Sequence, residues 1–297
     1  MHRKARVLIT GATGVIALGV TAVMLFANLT AGQPVATRSS AIRSPAALPS
    51  ASAEGYVAPS TALIAALPEA KYDAVIPGLI AYTAASASGE ATAAYTFSVD
   101  TALYAADRAA PVARFAAINF LGEKNVVVPV AFTEGWALVL TPARQALPSE
   151  AHGHAPAQTA GWVRIDTLTK DHPLTHRIVI SVKDQSLTIL DANGTKTVSF
   201  SVGVGAAATP TPTGVTGYIQ ARYLDPAQGQ RTYPIQLTSL HSAAADEPYG
   251  GNDGALIGVH YFLTRSGAIS HGCIRLSVEA ITAVNLLPTG TLISITN

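Results

Sequence analysis

The rhythm of apolar and polar positions changes several times along this chain. A basic cluster, His2-Arg3-Lys4-Ala5-Arg6, is followed by residues 7–37 without a charge, and Val7–Leu29 is largely apolar. About 23 such residues at ~1.5 Å each suffice to cross ~30 Å of hydrocarbon. The basic flank would stay in the cytoplasm and leave the rest of the chain outside. Residues 1–32 therefore read as a signal anchor, with a cleaved signal peptide ending near Thr30-Ala31-Gly32 as the alternative. Residues 33–55 are rich in Ala, Ser, Pro and Thr, carry Arg38 and Arg43, and show no apolar period, which predicts a disordered spacer. Residues 56–95 hold two short apolar patches, Leu63–Leu67 and Val75–Ile80, without a period that assigns an element.

Between residues 96 and 170 the pattern turns to short β-like runs. Strands are predicted at Thr101–Tyr104, Val126–Val130, Trp136–Leu140 and Gly161–Ile165, with a turn at Glu134-Gly135. Strands at this spacing suggest a small antiparallel barrel. The region from 176 to 296 alternates more regularly. Arg177–Val182, Ser186–Leu190 and Thr197–Val202 read as strands, and Asn193-Gly194 is the dipeptide of a tight hairpin turn. Further strands are expected at Thr216–Tyr223, Pro234–Leu240, Leu256–His260 and Thr291–Ile295. Ser277 can N-cap one short helix running to about Leu287, where Pro288 and Gly290 stop it.

Composition narrows the class. A chain of 297 residues is long enough for about two domains plus tails. Its net charge of +1, with no basic patch, gives no reason to expect nucleic acid. The single cysteine excludes an intrachain disulfide framework, so core packing must hold the fold. No cysteine follows the apolar N-terminal run closely, which excludes a lipoprotein anchor.

That one cysteine, Cys273, lies in Ser270-His271-Gly272-Cys273-Ile274-Arg275-Leu276. An isolated cysteine is often a small buried hydrophobe. A thiol beside imidazoles is also the minimal kit for nucleophilic acyl transfer, because a free thiol is only a few per cent ionised at neutral pH and needs a base. His260 ends a predicted strand and is the candidate base. His271, two residues before the thiol, shares its face on an extended backbone and could shape the pocket, tune the thiol or hold the loop. The N–H groups of Gly272 and Cys273 are natural oxyanion donors. Arg275 could hold a substrate carboxylate bidentately or form a structural ion pair. Ser270, Tyr261 and His241 are the other candidate substrate contacts. His152-Gly153-His154 offers two imidazoles but no third metal ligand, and reads as a loop.

These residues resemble a known family. Ser270-His271-Gly272-Cys273-Ile274-Arg275 is similar to the signature of L,D-transpeptidases with the YkuD-type catalytic domain. His260 in Ile257-Gly258-Val259-His260 resembles the family's catalytic histidine, and Thr211-Pro212-Thr213-Gly214 its Thr-Pro-x-Gly loop. The resemblance covers residues 176–296. Tyr261 departs from the glycine that often follows the histidine, and the thirteen-residue step from His260 to Cys273 is shorter than in many relatives. Gly135-Trp136 and Gly161-Trp162-Val163 resemble small bacterial SH3-like domains.

The resemblance implies a mostly-β chain: a β-rich L,D-transpeptidase domain with one short helix, preceded by an SH3-like barrel at 96–170 and an N-terminal membrane helix. It implies an extracytoplasmic enzyme of peptidoglycan biosynthesis and cell-wall organisation, without metal or organic cofactor. Donor and acceptor stem peptides would be its partners, Cys273 would form the acyl-enzyme thioester, and carbapenems would form the same bond. An L,D-carboxypeptidase, in which water resolves the thioester, and a non-catalytic wall-binding protein are the alternatives.

Overall fold

The computed structural model describes residues 56–83, 91–245 and 256–297. The expected anchor and spacer at 1–55 lie outside the described residues. Among the described residues no helix is long and apolar enough to cross a membrane.

The first module opens with a short helix, α1 (Thr61–Ala66), capped by Ser60 Oγ accepting from the Leu63 N–H. Its strands are β1 (Ile80–Ala81), β2 (Ala93–Phe97), β3 (Thr101–Tyr104), β4 (Pro111–Phe115), β5 (Pro129–Thr133), β6 (Trp136–Thr141), β7 (Thr159–Arg164) and β8 (Leu168–Pro173). Six of them form one sheet in the order β4-β3-β7-β6-β5, with β1 on β7, while β2 and β8 pair separately. The runs expected at 101, 136 and 161 appear as β3, β6 and β7. The valine run at 126 enters the sheet only from Pro129, because Val127 exchanges both main-chain bonds with Tyr95, at 2.8 and 2.9 Å.

Residues 68–79, which carry no legible period, belong to this module's core. Ala70, Ile76 and Leu79 are buried with Leu103, Phe115 and Val139. Their backbone is held by single bridges, Glu69 to Arg114 and Val75 to Arg144. One-residue bridges leave no alternation in a sequence, so propensity cannot find them. His152 and His154 are exposed in a turn.

The second module contains β9 (His176–Ser181), β10 (Ser186–Asp191), β11 (Lys196–Ser201), β12 (Gly203–Gly205), β13 (Val215–Asp225), β14 (Gln230–His241), β15 (Leu256–Tyr261), β16 (Gly267–Ser270), β17 (Ile274–Leu276), α2 (Val278–Asn285) and β18 (Leu292–Thr296). Ten strands pair in the order β11-β10-β9-β18-β13-β14-β15-β17-β12-β16. The mostly-β reading and the single short helix of this region hold. Ser277 caps α2 as expected, its Oγ accepting from the Ala280 N–H at 3.2 Å. Ala280, Ile281 and Val284 bury one face of α2 against the core formed by Ile257, Val259, Ile274 and Leu276.

The hairpin between β10 and β11 differs from expectation. The Asp191 N–H donates to the Thr195 carbonyl, so three residues rather than two form the loop. Gly194 takes φ +80°, the left-handed position that a three-residue loop requires of its last member.

The two modules share a dry seam. Tyr82, Val128, Val130, Leu140 and Ala160 of the first pack with Tyr218 and Leu292 of the second. Two polar pairs cross it: Ser239 Oγ donates to Gln158 Oε1 at 2.6 Å, and Arg144 Nη1 to the Ser242 carbonyl at 3.2 Å.

Candidate active site

Two parallel neighbours, β15 and β17, set the site. Val259 pairs with Ile274 and His260 with Arg275. Side chains alternate across a strand. Ile257, Val259, Ile274 and Leu276 are fully buried in the core beneath α2. The alternate set, Gly258, His260, Cys273 and Arg275, therefore shares the opposite face.

Cys273 is half-buried, and its thiol is free. Its Sγ accepts from the Gly258 N–H at 3.4 Å and lies 3.7 Å from the Leu256 carbonyl, to which the S–H can donate. A Cβ placed on Gly258 would lie 3.7 Å from this sulfur and 3.5 Å from Ile235 Cγ2. Glycine there keeps the space above the sulfur open. Burial pushes the thiol up from its ordinary range, while the Gly258 N–H and the Arg275 charge pull it down.

His260 Nδ1 lies 3.0 Å from the Tyr261 carbonyl oxygen. A carbonyl only accepts, so this contact favours the proton on Nδ1 and the lone pair a base needs on Nε2; the Gln230 amide, 3.4 Å from Nδ1, makes its shorter bond to the same carbonyl. Burial holds the imidazole below its ordinary value, opposed by the Tyr261 bond and assisted by Arg275. The ring is thus neutral at neutral pH. Since the working atom at 261 is a main-chain oxygen, tyrosine serves there as well as glycine. The Tyr261 ring packs instead against Tyr233, with centroids 5.0 Å apart.

Gln230, from the start of β14, reinforces this arrangement and was not anticipated from sequence. Its Nε2 donates to the same Tyr261 carbonyl at 3.0 Å, and the residue is buried. It lies thirty positions before His260 with no motif around it, so only strand pairing could find it.

The turn that carries the thiol is braced from the Thr-Pro-x-Gly loop. Thr211 Oγ1 donates to the Gly272 carbonyl at 2.8 Å and accepts from the Gly205 N–H at 2.9 Å. Thr209 Oγ1 donates to the Ser270 carbonyl at 3.0 Å. Gly272 has φ +100°, and a Cβ on it would meet Ile257 Cδ1 at 2.9 Å. Both facts favour glycine here, since a side chain would be strained and crowded. Thr211 belongs to the expected motif, whereas Thr209 was missed, although Thr-Pro-Thr-Pro-Thr over 209–213 repeats the pattern.

The structure sorts the remaining candidates. Ser270 is buried and its Oγ donates to the Cys273 carbonyl at 2.6 Å, which places it as a brace inside the turn. His271 is exposed on the outside of the turn. Arg275 spreads its guanidinium 4.1 Å over the Phe262 ring, and its buried Nε has no hydrogen-bond partner among the described residues. His241 is not brought to this face. It is 1% exposed in the module seam, where its Nε2 donates to the Pro142 carbonyl at 2.7 Å. Burial, with Arg144 nearby, lowers its pKa to about 3, so it stays neutral. His241 was expected as a substrate contact, but the last residue of β14 points into the interface.

Arg275 has a testable electrostatic role. Its cation favours thiolate over thiol and neutral imidazole over imidazolium, so it lowers both groups. Arg275→Gln should move both limbs of the pH–rate profile for thiol acylation to higher pH. An unchanged profile, followed from pH 5 to 10 with a small acylating probe, would show that its charge does not act on the pair.

A thiol and an imidazole with one nitrogen held by a carbonyl thus share one face of the sheet, and these are groups that cysteine acyl transfer uses. Residues 175–295 match the YkuD family, described as the L,D-transpeptidase catalytic domain. That segment of the chain carries a YkuD-type L,D-transpeptidase catalytic domain, while the first module lies outside the match. No curated protein matches the chain.

Similar solved structures include a fused Zn-dependent amidase/peptidase/peptidoglycan-binding domain-containing protein from Clostridium acetobutylicum (26% identity, 41% of this chain and 51% of that one, TM-score 0.28). They also include the catalytic domain of an Enterococcus faecium L,D-transpeptidase (17%, 42% and 99%, 0.29). A third is L,D-transpeptidase 1 of Mycobacterium tuberculosis (14%, 47% and 78%, 0.29). The chain spans about half the length of the first of these, 51%.

Proposed function

We propose that this protein is a peptidoglycan L,D-transpeptidase that joins third-position residues of two stem peptides through a thioester on Cys273. The observation that carries the reading is the 3.0 Å contact of His260 Nδ1 with the Tyr261 carbonyl, on the sheet face that His260 shares with Cys273. This contact favours the proton on Nδ1 and so Nε2 as the base.

In the first half-reaction His260 takes the thiol proton and Sγ attacks the carbonyl of the donor's third residue. The N–H groups of Gly272 and Cys273 stabilise the oxyanion. His260 then returns its proton to the departing amine of the terminal D-Ala, leaving a thioester. In the second, the side-chain amine of an acceptor stem attacks the thioester, loses a proton to His260, and expels the thiol. A general acid–base partner in such steps is typically worth ~10²–10⁴ in rate. The cation of Arg275, on the face it shares with Cys273 and His260, supports a role for that guanidinium in holding a stem carboxylate.

The basic, then apolar, N-terminus supports a tethered enzyme working on the wall side of the membrane, with residues 33–55 as its spacer and the first module orienting the catalytic one. An SH3-like character for that module remains part of this reading.

Purified protein incubated with disaccharide-tetrapeptide muropeptides should release D-Ala and form cross-linked dimers, read by mass spectrometry. Trimmed tripeptides without dimers would make the enzyme an L,D-carboxypeptidase. Unchanged muropeptides would remove the enzymatic reading and leave wall binding.

A further inference from the structure

Phe120 is 43% exposed, an apolar ring on a loop of the first module. The backbone of this loop is internally hydrogen-bonded. Asn119 Oδ1 accepts from the N–H groups of Leu121 and Glu123 at 2.9 and 3.1 Å, and Ile118 bridges Lys124. The ring sits on this backbone between two aromatic neighbours. On one side it meets Tyr72, with centroids 4.8 Å apart; on the other it meets Tyr223 of β13, at 6.1 Å.

Tyr223 leads directly toward the nucleophile. It pairs with Ile235, and because Gln236 pairs with Val259, Ile235 lies level with His260. His260 in turn pairs with Arg275. Residues opposite one another in a ladder share a face, so one row runs Tyr223–Ile235–His260–Arg275, with Phe120 at its outer end. Ile235 Cγ2 and Cys273 Sγ flank the same open spot above Gly258, 3.5 and 3.7 Å from a Cβ built there. The row is apolar and aromatic at the Phe120 end and cationic at the Arg275 end.

We propose that Phe120 is a specificity-determining residue of this site: with Tyr223 of the second module it forms an aromatic wall, to which the first module contributes Phe120, along which the aliphatic part of the stem peptide lies while Cys273 attacks. This rests on the transpeptidase reading. The polarity of the row sets the orientation of the peptide, methyl and methylene groups against the rings and carboxylate toward Arg275. A ring already seated between aromatic neighbours loses little freedom on binding, which makes it an efficient contact.

The test is saturation kinetics of D-Ala release from disaccharide-tetrapeptide by the full chain, compared with Phe120→Ala and Phe120→Leu. Phe120→Ala should raise KM by roughly tenfold, the order that one well-packed aromatic contact supplies. Phe120→Leu, which keeps an apolar tip and covers a folding failure of the alanine variant, should raise it about threefold. In both, kcat should change by less than about twofold, the signature of lost uniform binding. Unchanged KM in both variants, or a fall in kcat at constant KM, overturns the proposal and leaves the transpeptidase reading standing. No D-Ala release by the wild-type protein overturns both.

Discussion

Cys273→Ser should gain no mass when incubated with a carbapenem, whereas the wild-type protein should gain one adduct. The expectation follows from arithmetic as well as geometry. The chain contains one cysteine, so no second thiol can stand in. The exchange replaces sulfur by oxygen in a half-buried position whose neighbours, the Gly258 N–H and the Leu256 carbonyl, can serve a hydroxyl too. The fold should therefore survive. The chemistry should not, because a hydroxyl is a far weaker acid than a thiol and His260, held below its ordinary basicity by burial, is a poor base for it. Thioester-type acylation should fall by several orders of magnitude, below detection in an intact-mass experiment. An adduct that persists on the serine variant would remove Cys273 as nucleophile.

His260→Ala should slow acylation of Cys273 by ~10²–10⁴, or roughly 3–5 kcal/mol in the barrier. Burial raises the thiol, so at neutral pH little thiolate exists without a partner to take the proton. With His260 gone, the Tyr261 carbonyl keeps the Gln230 amide, so the backbone at the end of β15 should remain held. The loss should shrink at high pH, where hydroxide ionises the thiol unaided. A near-normal rate at pH 7 would transfer the base role to His271, the other imidazole of the motif.

Much of this site is legible in one dimension. The string from Ser270 to Arg275 is contiguous because a strand entered through a glycine turn places thiol, turn and guanidinium within a few residues. His260 ends a strand whose alternation is visible, and Ser277 announces α2. These are local regularities of period, cap and turn. Gln230 and Phe120 carry no such mark, and Thr209 only a repeat of the Thr-Pro pattern. Each reaches the site across a sheet pairing or a module contact, and pairing registers between distant strands are not encoded by any short pattern. His241 shows the converse. It was expected on the substrate side, yet its ring is spent on Pro142 in the seam.

The sequence by itself determined the β-rich class and the helix cap, and it singled out one thiol and the imidazole that shares its face of the sheet. Only the tertiary structure decided which carbonyl His260 Nδ1 faces, what braces the thiol turn, and that Phe120 of the first module meets Tyr223 of the second. The reason is physical. Strand propensity and turn chemistry act over a few residues, whereas hydrogen-bond partners and desolvation are set by whichever strands the sheet order makes neighbours.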